Sequence, residues 1–434
     1  SYYTSVESPG EPVDPNAIQL AGESFRAARG IRLRSQQETV EKMRLNTNSG
    51  APYFSKRRSV VGKTIPTRIS SGKQYLGKTG AQYELAAVLG WRGQEGGPNP
   101  QDVKQRVVWM MPFGLNVAEL QVYQPAIEAF QAKGLIPAFN SMDAVDQAVT
   151  KLFSSKGDDE VVVCTDFTAF DQHFNVNLQN TALEMLRTLM TPSAEQENWY
   201  RTVFPLKYTL PLVCSEKITF TGPHGMGSGS GGTNFDECLA HKALQHEAAM
   251  ASHATLNEYS MAYGDDGILS FPSITADKVI RSYTRHGLEM NPDKQYVSTH
   301  DCVFLRRWHG VDYRVKGNMV GVYSTCRALG RLLAQERYYD PDTWSAQMVE
   351  LRAWSIIENC HHSPAFEEFV DFVIKGDKYR LGLDIPGFLE NIGDISREAK
   401  DKIPDFLGYT KGLQGEDLGG IENWRIYRYL KSKA

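Results

Sequence analysis

Residues 261–271, MAYGDDGILSF, set two aspartates side by side between two short apolar runs. Apolar runs of this length around Gly-Asp-Asp-Gly read as strand, turn, strand, which puts Asp265 and Asp266 at a hairpin tip. Adjacent like charges repel, so the arrangement costs stability unless something cationic lies between them and a partner. Either the tip is an ordinary polar turn, or the chain folds so that a second element meets it.

A second element is present. The β-branched run EVVVCT, 160–165, reads as a buried strand and leads into DFTAFD, with Asp166 at the strand's C-terminal end and Asp171 five residues later. If the two strands are neighbours in one sheet, Asp166 faces Asp265 and Asp266. Three carboxylates in one volume are relieved by hard cations, and Mg²⁺ takes a few carboxylate oxygens together with waters and substrate phosphates. Between these elements lies GMGSGSGGTNFDE, 225–237. Gly-rich sequence entering a helix lets backbone approach a ligand closely and presents N–H groups to anions or bases. Taken alone, it reads equally as a flexible loop with a helix cap.

Length and composition bound the rest. A chain of 434 residues exceeds one ordinary core, so two or three subdomains are expected. A formal charge of −4 argues against a surface coated with nucleic acid but not against a locally basic channel. Positive residues cluster at Lys56-Arg57-Arg58, at Lys104 with Arg106, at Arg306-Arg307 and at Lys431 with Lys433. No apolar run approaches the roughly 18 residues needed to span a bilayer. The opening Ser-Tyr-Tyr, without Met, is what a trimmed or processed start would give. Cys164, Cys214, Cys238, Cys302, Cys326 and Cys360 are scattered, as isolated thiols of a reducing compartment would be. The contiguous Cys360-His361-His362 makes a poor zinc site, because neighbouring ligands rarely wrap one ion.

Along the chain, residues 1–30 read as an extended arm before a helix near 35–45, and residues 46–105 as loop-heavy, with a Gly/Pro stretch at 93–100. Helical periodicity appears at 117–132, 142–153, 177–190 and 233–253. Ser273 or Thr275 caps a helix ending near Gly287, 295–305 is strand-like, and the chain from 327 onward is mostly helical. The middle is therefore α+β.

The ordered motifs resemble those of viral RNA-dependent RNA polymerases, especially those of small double-stranded RNA viruses of the picobirnavirus and partitivirus kind. NSGAPY, 48–53, resembles the template-entry loop, and KQRVVWMMP, 104–112, the basic segment over the incoming triphosphate. DFTAFD, SGSGGT and YGDD match the first three palm motifs, GLEMNPDK, 287–294, resembles the fourth, and FLRRW, 304–308, the turn that grips the primer strand. The resemblance implies a right-hand architecture whose palm carries an antiparallel sheet. It divides into an N-terminal arm at 1–30, fingers at 31–160, palm at 161–191, a fingers/palm insertion at 192–240, more palm at 241–326, and a thumb with C-terminal segment at 327–434.

Carried over residue by residue, it implies that Asp166 and Asp265 ligate two Mg²⁺ ions, with Mn²⁺ as a substitute and Asp266 nearby and less essential. Asp171 would sense the ribose 2′-hydroxyl, and Lys294 would protonate departing pyrophosphate. Ser228, Gly229, Thr233 and Asn234 would shape the nucleotide pocket, Lys104 and Arg106 would hold the triphosphate, and Ser49, Gly50, Pro52, Tyr53, Arg306 and Arg307 would contact RNA. The implied partners are an RNA template, the nascent strand, nucleoside triphosphates and a viral capsid protein, in a virion interior or host cytoplasm. One position departs from the pattern. Many relatives carry Asn four residues after the Thr of the second motif, where this chain has Glu237, so either Asn234 or Glu237 partners Asp171. A reverse transcriptase would also use Tyr-x-Asp-Asp, though Asp171 and GLEMNPDK speak against it; a non-catalytic RNA-binding or capsid-associated relic would be expected to lose the carboxylates or the lysine.

Overall fold

The structure, a computed structural model, describes residues 1–94, 99, 101–102, 104–336, 339–402 and 420–434, so most of the 93–100 stretch lies outside it. The chain forms two compact units. One comprises Ser1–Trp91, Val107–Phe139 and Lys151–Phe304, the other Arg92–Arg106, Asn140–Thr150 and Leu305–Ala434.

In the first unit the arm is not simply extended. Asp14 accepts the Asn16 N–H at 2.8 Å and Pro15 occupies the first helical position, starting α1 (Pro15–Ser24). Ala17 and Ala21 are wholly buried, and α1 packs on the helix Thr233–Ala251. Residues 67–84, which read as loop, form an antiparallel meander of β1 (Thr67–Ser70), β2 (Lys73–Leu76) and β3 (Ala81–Glu84). Strands of four residues separated by turns give too little periodicity to register in sequence, and contacts such as the Arg68 guanidinium 4.0 Å from the Tyr75 ring centre are visible only in space.

Next come β4 (Ala87–Gln94), β5 (Lys104–Met110) and α2 (Phe113–Lys133). The run at 160–165 yields β6 (Val162–Thr165), buried at every position, followed by α3 (Val176–Leu189). Strands β7 (Leu212–Ser215) and β8 (Ile218–Phe220) extend a sheet in the order β5-β4-β7-β8. The Gly-rich stretch enters α4 (Thr233–Ala251), which packs on α3 and is buried along most of its length. The Gly-Asp-Asp segment is the hairpin of β9 (Met261–Tyr263) and β10 (Asp266–Leu269). Thr275, rather than Ser273, caps the helix Ala276–Thr284 by accepting the Lys278 N–H. The last strand of this sheet, β11 (Tyr296–Ser298), completes the order β11-β6-β10-β9, antiparallel throughout.

The second unit is mainly helical from Thr325 on, around a core that includes Trp354, Phe366 and Trp424. The aromatic C-terminal segment packs into this core. Trp424, Ile426 and Leu430 are buried, and the Glu358 carboxylate accepts the N–H groups of Arg425 and Ile426 at 2.7 and 2.9 Å. All six cysteines are free thiols. Among the described residues, no helix is long and apolar enough to cross a membrane.

Candidate active site

The register of the four-stranded sheet assembles the site. Strand β10 pairs with β6 through Gly267 opposite Thr165, so one step further sets Asp266 level with Asp166. Strand β11 pairs with β6 through Tyr296 opposite Cys164, and the chain before it leaves the ladder: Lys294 ends a 3-10 turn, Pro292–Lys294, next to Gln295, whose side chain bonds both backbone groups of Asp166. Neighbouring strands lie about 4.8 Å apart, so Asp266 and Asp166 stand side by side where the β10–β6 pairing ends, with Asp265 in the adjoining turn and Lys294 in the segment that Gln295 ties to Asp166. Asp166, Asp265 and Lys294 are exposed and Asp266 is half-buried.

The aspartate turn is built from both ends. Tyr263 pairs with Asp266, leaving a two-residue turn whose first residue, Gly264, has φ 60°, a conformation that favours glycine. Helix α4 grips this turn. The Gly264 N–H donates to the Cys238 sulfur at 3.3 Å, and His241 Nδ1–H donates to the Gly264 carbonyl at 2.9 Å. Burial pulls His241 down to about 4, so the ring is neutral near neutral pH, with Nδ1 the protonated nitrogen. Gln245 and Lys242 donate to the Met261 and Ser260 carbonyls, both at 2.9 Å. These side chains recur at helical spacing along α4, a polar stripe on an otherwise buried helix that sequence reasoning missed.

The Gly-rich loop is clamped between β5 and α2. The Ser228 hydroxyl donates to the Val107 carbonyl and accepts the Trp109 N–H, each at 3.4 Å. Asn116 of α2 donates to the Gly229 carbonyl at 3.2 Å, and Glu119 bonds the Ser230 hydroxyl and the Gly231 N–H. The Thr233 hydroxyl reaches the Gly227 carbonyl at 3.1 Å. A β-carbon at Gly229 would lie 1.7 Å from the Trp109 carbonyl oxygen, so only glycine permits this approach. Gly229→Ala is therefore expected to displace the loop and cost about 1–3 kcal/mol, read as a lower melting temperature together with lower activity. The 48–53 loop packs on the same segment: Ser49 is buried and its carbonyl accepts the Phe113 N–H at 2.8 Å. Gly50 approaches the Met111 carbonyl, Pro52 follows a cis peptide, and the Tyr53 ring lies 6.1 Å from that of Tyr83.

The departure at Glu237 has a geometric answer. Asp171, half-buried after β6, shares a hydrogen bond with the buried Glu237 carboxyl. Burial, with the Asp171 and Asp265 charges, pushes Glu237 well above the usual carboxylate range, which favours the protonated form as the donor of this bond. Asn234 instead accepts from the Cys238 thiol at 3.7 Å.

This chain matches the profile of the family described as viral RNA-dependent RNA polymerase over residues 25–374. It belongs to that family. The polymerase is 56% identical over 441 residues to a potential RNA-dependent RNA polymerase of Human picobirnavirus (strain Human/Thailand/Hy005102/-), covering 100% of this chain and 82% of the relative. It is also similar to the crystal structure of the RNA-dependent RNA polymerase of a human picobirnavirus, with TM-score 0.93, 55% identity, and coverage of 100% of this chain and 82% of that one. The Sicinivirus 3Dpol RNA-dependent RNA polymerase shares the fold at 14% identity, with TM-score 0.57 and coverage of 86% and 83%. Membership makes the chain an RNA-directed RNA polymerase of the α+β right-hand fold, the kind found in double-stranded RNA viruses, and sets the reverse-transcriptase alternative aside.

The remaining candidates of the polymerase, Lys104, Arg106, Arg306 and Arg307, belong to the second unit. Lys104 opens β5, on which Arg106 is exposed. Arg306 is exposed in a turn, whereas Arg307 faces inward, donating to the Met142 sulfur at 2.8 Å and the Asn359 side chain at 3.5 Å. Also in this unit, and among the described residues, Asp143, Asp146 and His362 bring ligand atoms mutually within 4.8 Å, a trio separate from Asp166, Asp265 and Asp266. Cys360 is not among its ligands.

Proposed function

We propose that this polymerase copies an RNA template by nucleotidyl transfer from ribonucleoside triphosphates, replicating and transcribing a viral genome, with two divalent cations held by Asp166, Asp265 and Asp266. The observation that carries this reading is the β10–β6 register that sets Asp266 beside Asp166, together with the Gln295 side chain that ties the Lys294 segment to the Asp166 backbone. The donor set fits Mg²⁺ or Mn²⁺: a few hard carboxylate oxygens, largely exposed, so that water and phosphate complete the shell. The three carboxylates are not mutually within 4.8 Å, and two ions about 3.5–4 Å apart do not require all three on one ion.

Bound cations would lower the pKa of the attacking hydroxyl and offset charge on the leaving group. The 3′-hydroxyl of the growing strand, or of the first nucleotide, loses its proton to solvent as its oxygen bonds to the α-phosphorus and the bond from that phosphorus to the bridging oxygen breaks. Lys294, next to the Gln295 that bonds the Asp166 backbone, gives a proton to the pyrophosphate. Asp171 accepts the ribose 2′-hydroxyl, and the Glu237 proton fixes the orientation of the Asp171 carboxylate. Ser228, Gly229 and Thr233 shape the pocket through the backbone they hold.

Primer-free incorporation of labelled ribonucleotides on short RNA templates, with Mg²⁺ or Mn²⁺, tests this reading. Template-length RNA is expected, and no incorporation on any template would overturn it. Asp171→Ala is expected to narrow the preference for ribonucleotides over deoxynucleotides by about 10- to 100-fold, the worth of one charge-assisted hydrogen bond. Because the Glu237 pKa is raised, its donor is present at low pH and lost as pH rises through the raised value. The wild-type preference should therefore weaken in alkali, while Glu237→Gln, with a permanent donor, should keep a flat pH profile. An unchanged ratio in Asp171→Ala would remove Asp171 from this role.

A further inference from the structure

Gln295 stands between Lys294 and β11, half-buried, and its side-chain amide is wholly engaged. Its Oε1 accepts the Asp166 N–H at 2.9 Å. Its Nε2 donates to the Asp166 carbonyl at 2.8 Å and to the Asn291 carbonyl at 2.9 Å. Both backbone groups of Asp166 are thus satisfied by one side chain where the β6 ladder ends. Asn291 opens the turn that carries Lys294. Its side chain accepts the Asp293 N–H at 2.9 Å and its carbonyl accepts the Lys294 N–H at 3.1 Å. Two residues past Asp166, the Thr168 N–H donates to the Glu289 carbonyl at 2.9 Å, so the two segments run together on both sides of the amide.

We infer that Gln295 is a positioning residue that fixes the Asp166 backbone to the Lys294 turn, so that the carboxylate at the reacting phosphate and the proton donor for the leaving group are placed as one unit. Only a primary amide offers the acceptor and two donors this requires; a carboxylate has no donor and a hydroxyl has one. The inference rests on the roles proposed above for Asp166 and Lys294.

The test uses the full chain with Gln295→Met, of similar length and without hydrogen bonds, and Gln295→Glu, which keeps only the acceptor for the Asp166 N–H. Turnover is expected to fall about 10- to 100-fold in Gln295→Met and less in Gln295→Glu. The Mg²⁺ concentration for half-maximal rate should rise, a change that a merely structural role would not produce. Combined with Lys294→Ala, Gln295→Met should cost less than the product of the two single losses, because both act on one turn. Turnover and Mg²⁺ requirement within twofold of wild type in either folded variant would overturn the inference. Asp166→Asn and Lys294→Ala separate the two failures. If both collapse activity while Gln295→Met does not, only the coupling is lost; if they remain active, the site reading falls and this inference with it.

Discussion

Asp265→Asn is expected to reduce nucleotide incorporation at least about 10³-fold while leaving the melting temperature near that of the wild type, because several kcal/mol of charge stabilisation at the reacting phosphate is removed. The fold should survive because Asp265 is exposed and the turn is held by its neighbours. Gly264 is gripped by Cys238 and His241, and Tyr263 pairs with Asp266. An amide fills the same space but carries no charge and is a poorer ligand for a hard cation. Asp266→Asn should be milder, since Asp266 is half-buried and belongs to β10 itself. Labelled-nucleotide incorporation alongside thermal melting reads both effects. Near-normal activity in a folded Asp265→Asn protein would reject the metal-ion mechanism.

Much of this candidate site was legible in the sequence because it is built of charged residues at strand ends. Carboxylates at the end of an apolar run and at a hairpin tip leave a pattern, and the strands and turn stand where those patterns place them. What holds the carboxylates was not legible. Gln295, Cys238 and His241 act on backbone atoms of distant segments, and neither charge nor composition marks a residue for that work. The polar stripe of α4 was the one available signal, hidden because the helix is buried almost all round and lacks a clean apolar face. Glu237 was visible as a departure, but its pairing with Asp171 depends on a protonation state set by burial. The β1–β3 meander and α1 were missed for a different reason: short elements take their stability from tertiary packing rather than from local pattern.

Lys294→Ala is expected to lower turnover about 10²- to 10⁴-fold, the usual worth of a positioned general acid. Gln295 bonds both backbone groups of Asp166, which keeps the neighbouring Lys294 with the β11 segment, on the other side of β6 from the β9–β10 aspartate turn. In the proposed acid role its proton is needed only as the pyrophosphate departs, so the loss should appear in kcat with little change in the KM for nucleotide. Arginine separates the two ways a cation can help. It keeps the positive charge but does not surrender a proton in a protein, so Lys294→Arg should stay close to Lys294→Ala if proton transfer is the role. If Lys294→Arg instead restores most of the rate, the residue acts as a fixed charge and the acid role is wrong. A rate near wild type in Lys294→Ala would exclude both, and the proposed chemistry would then rest on the carboxylates alone.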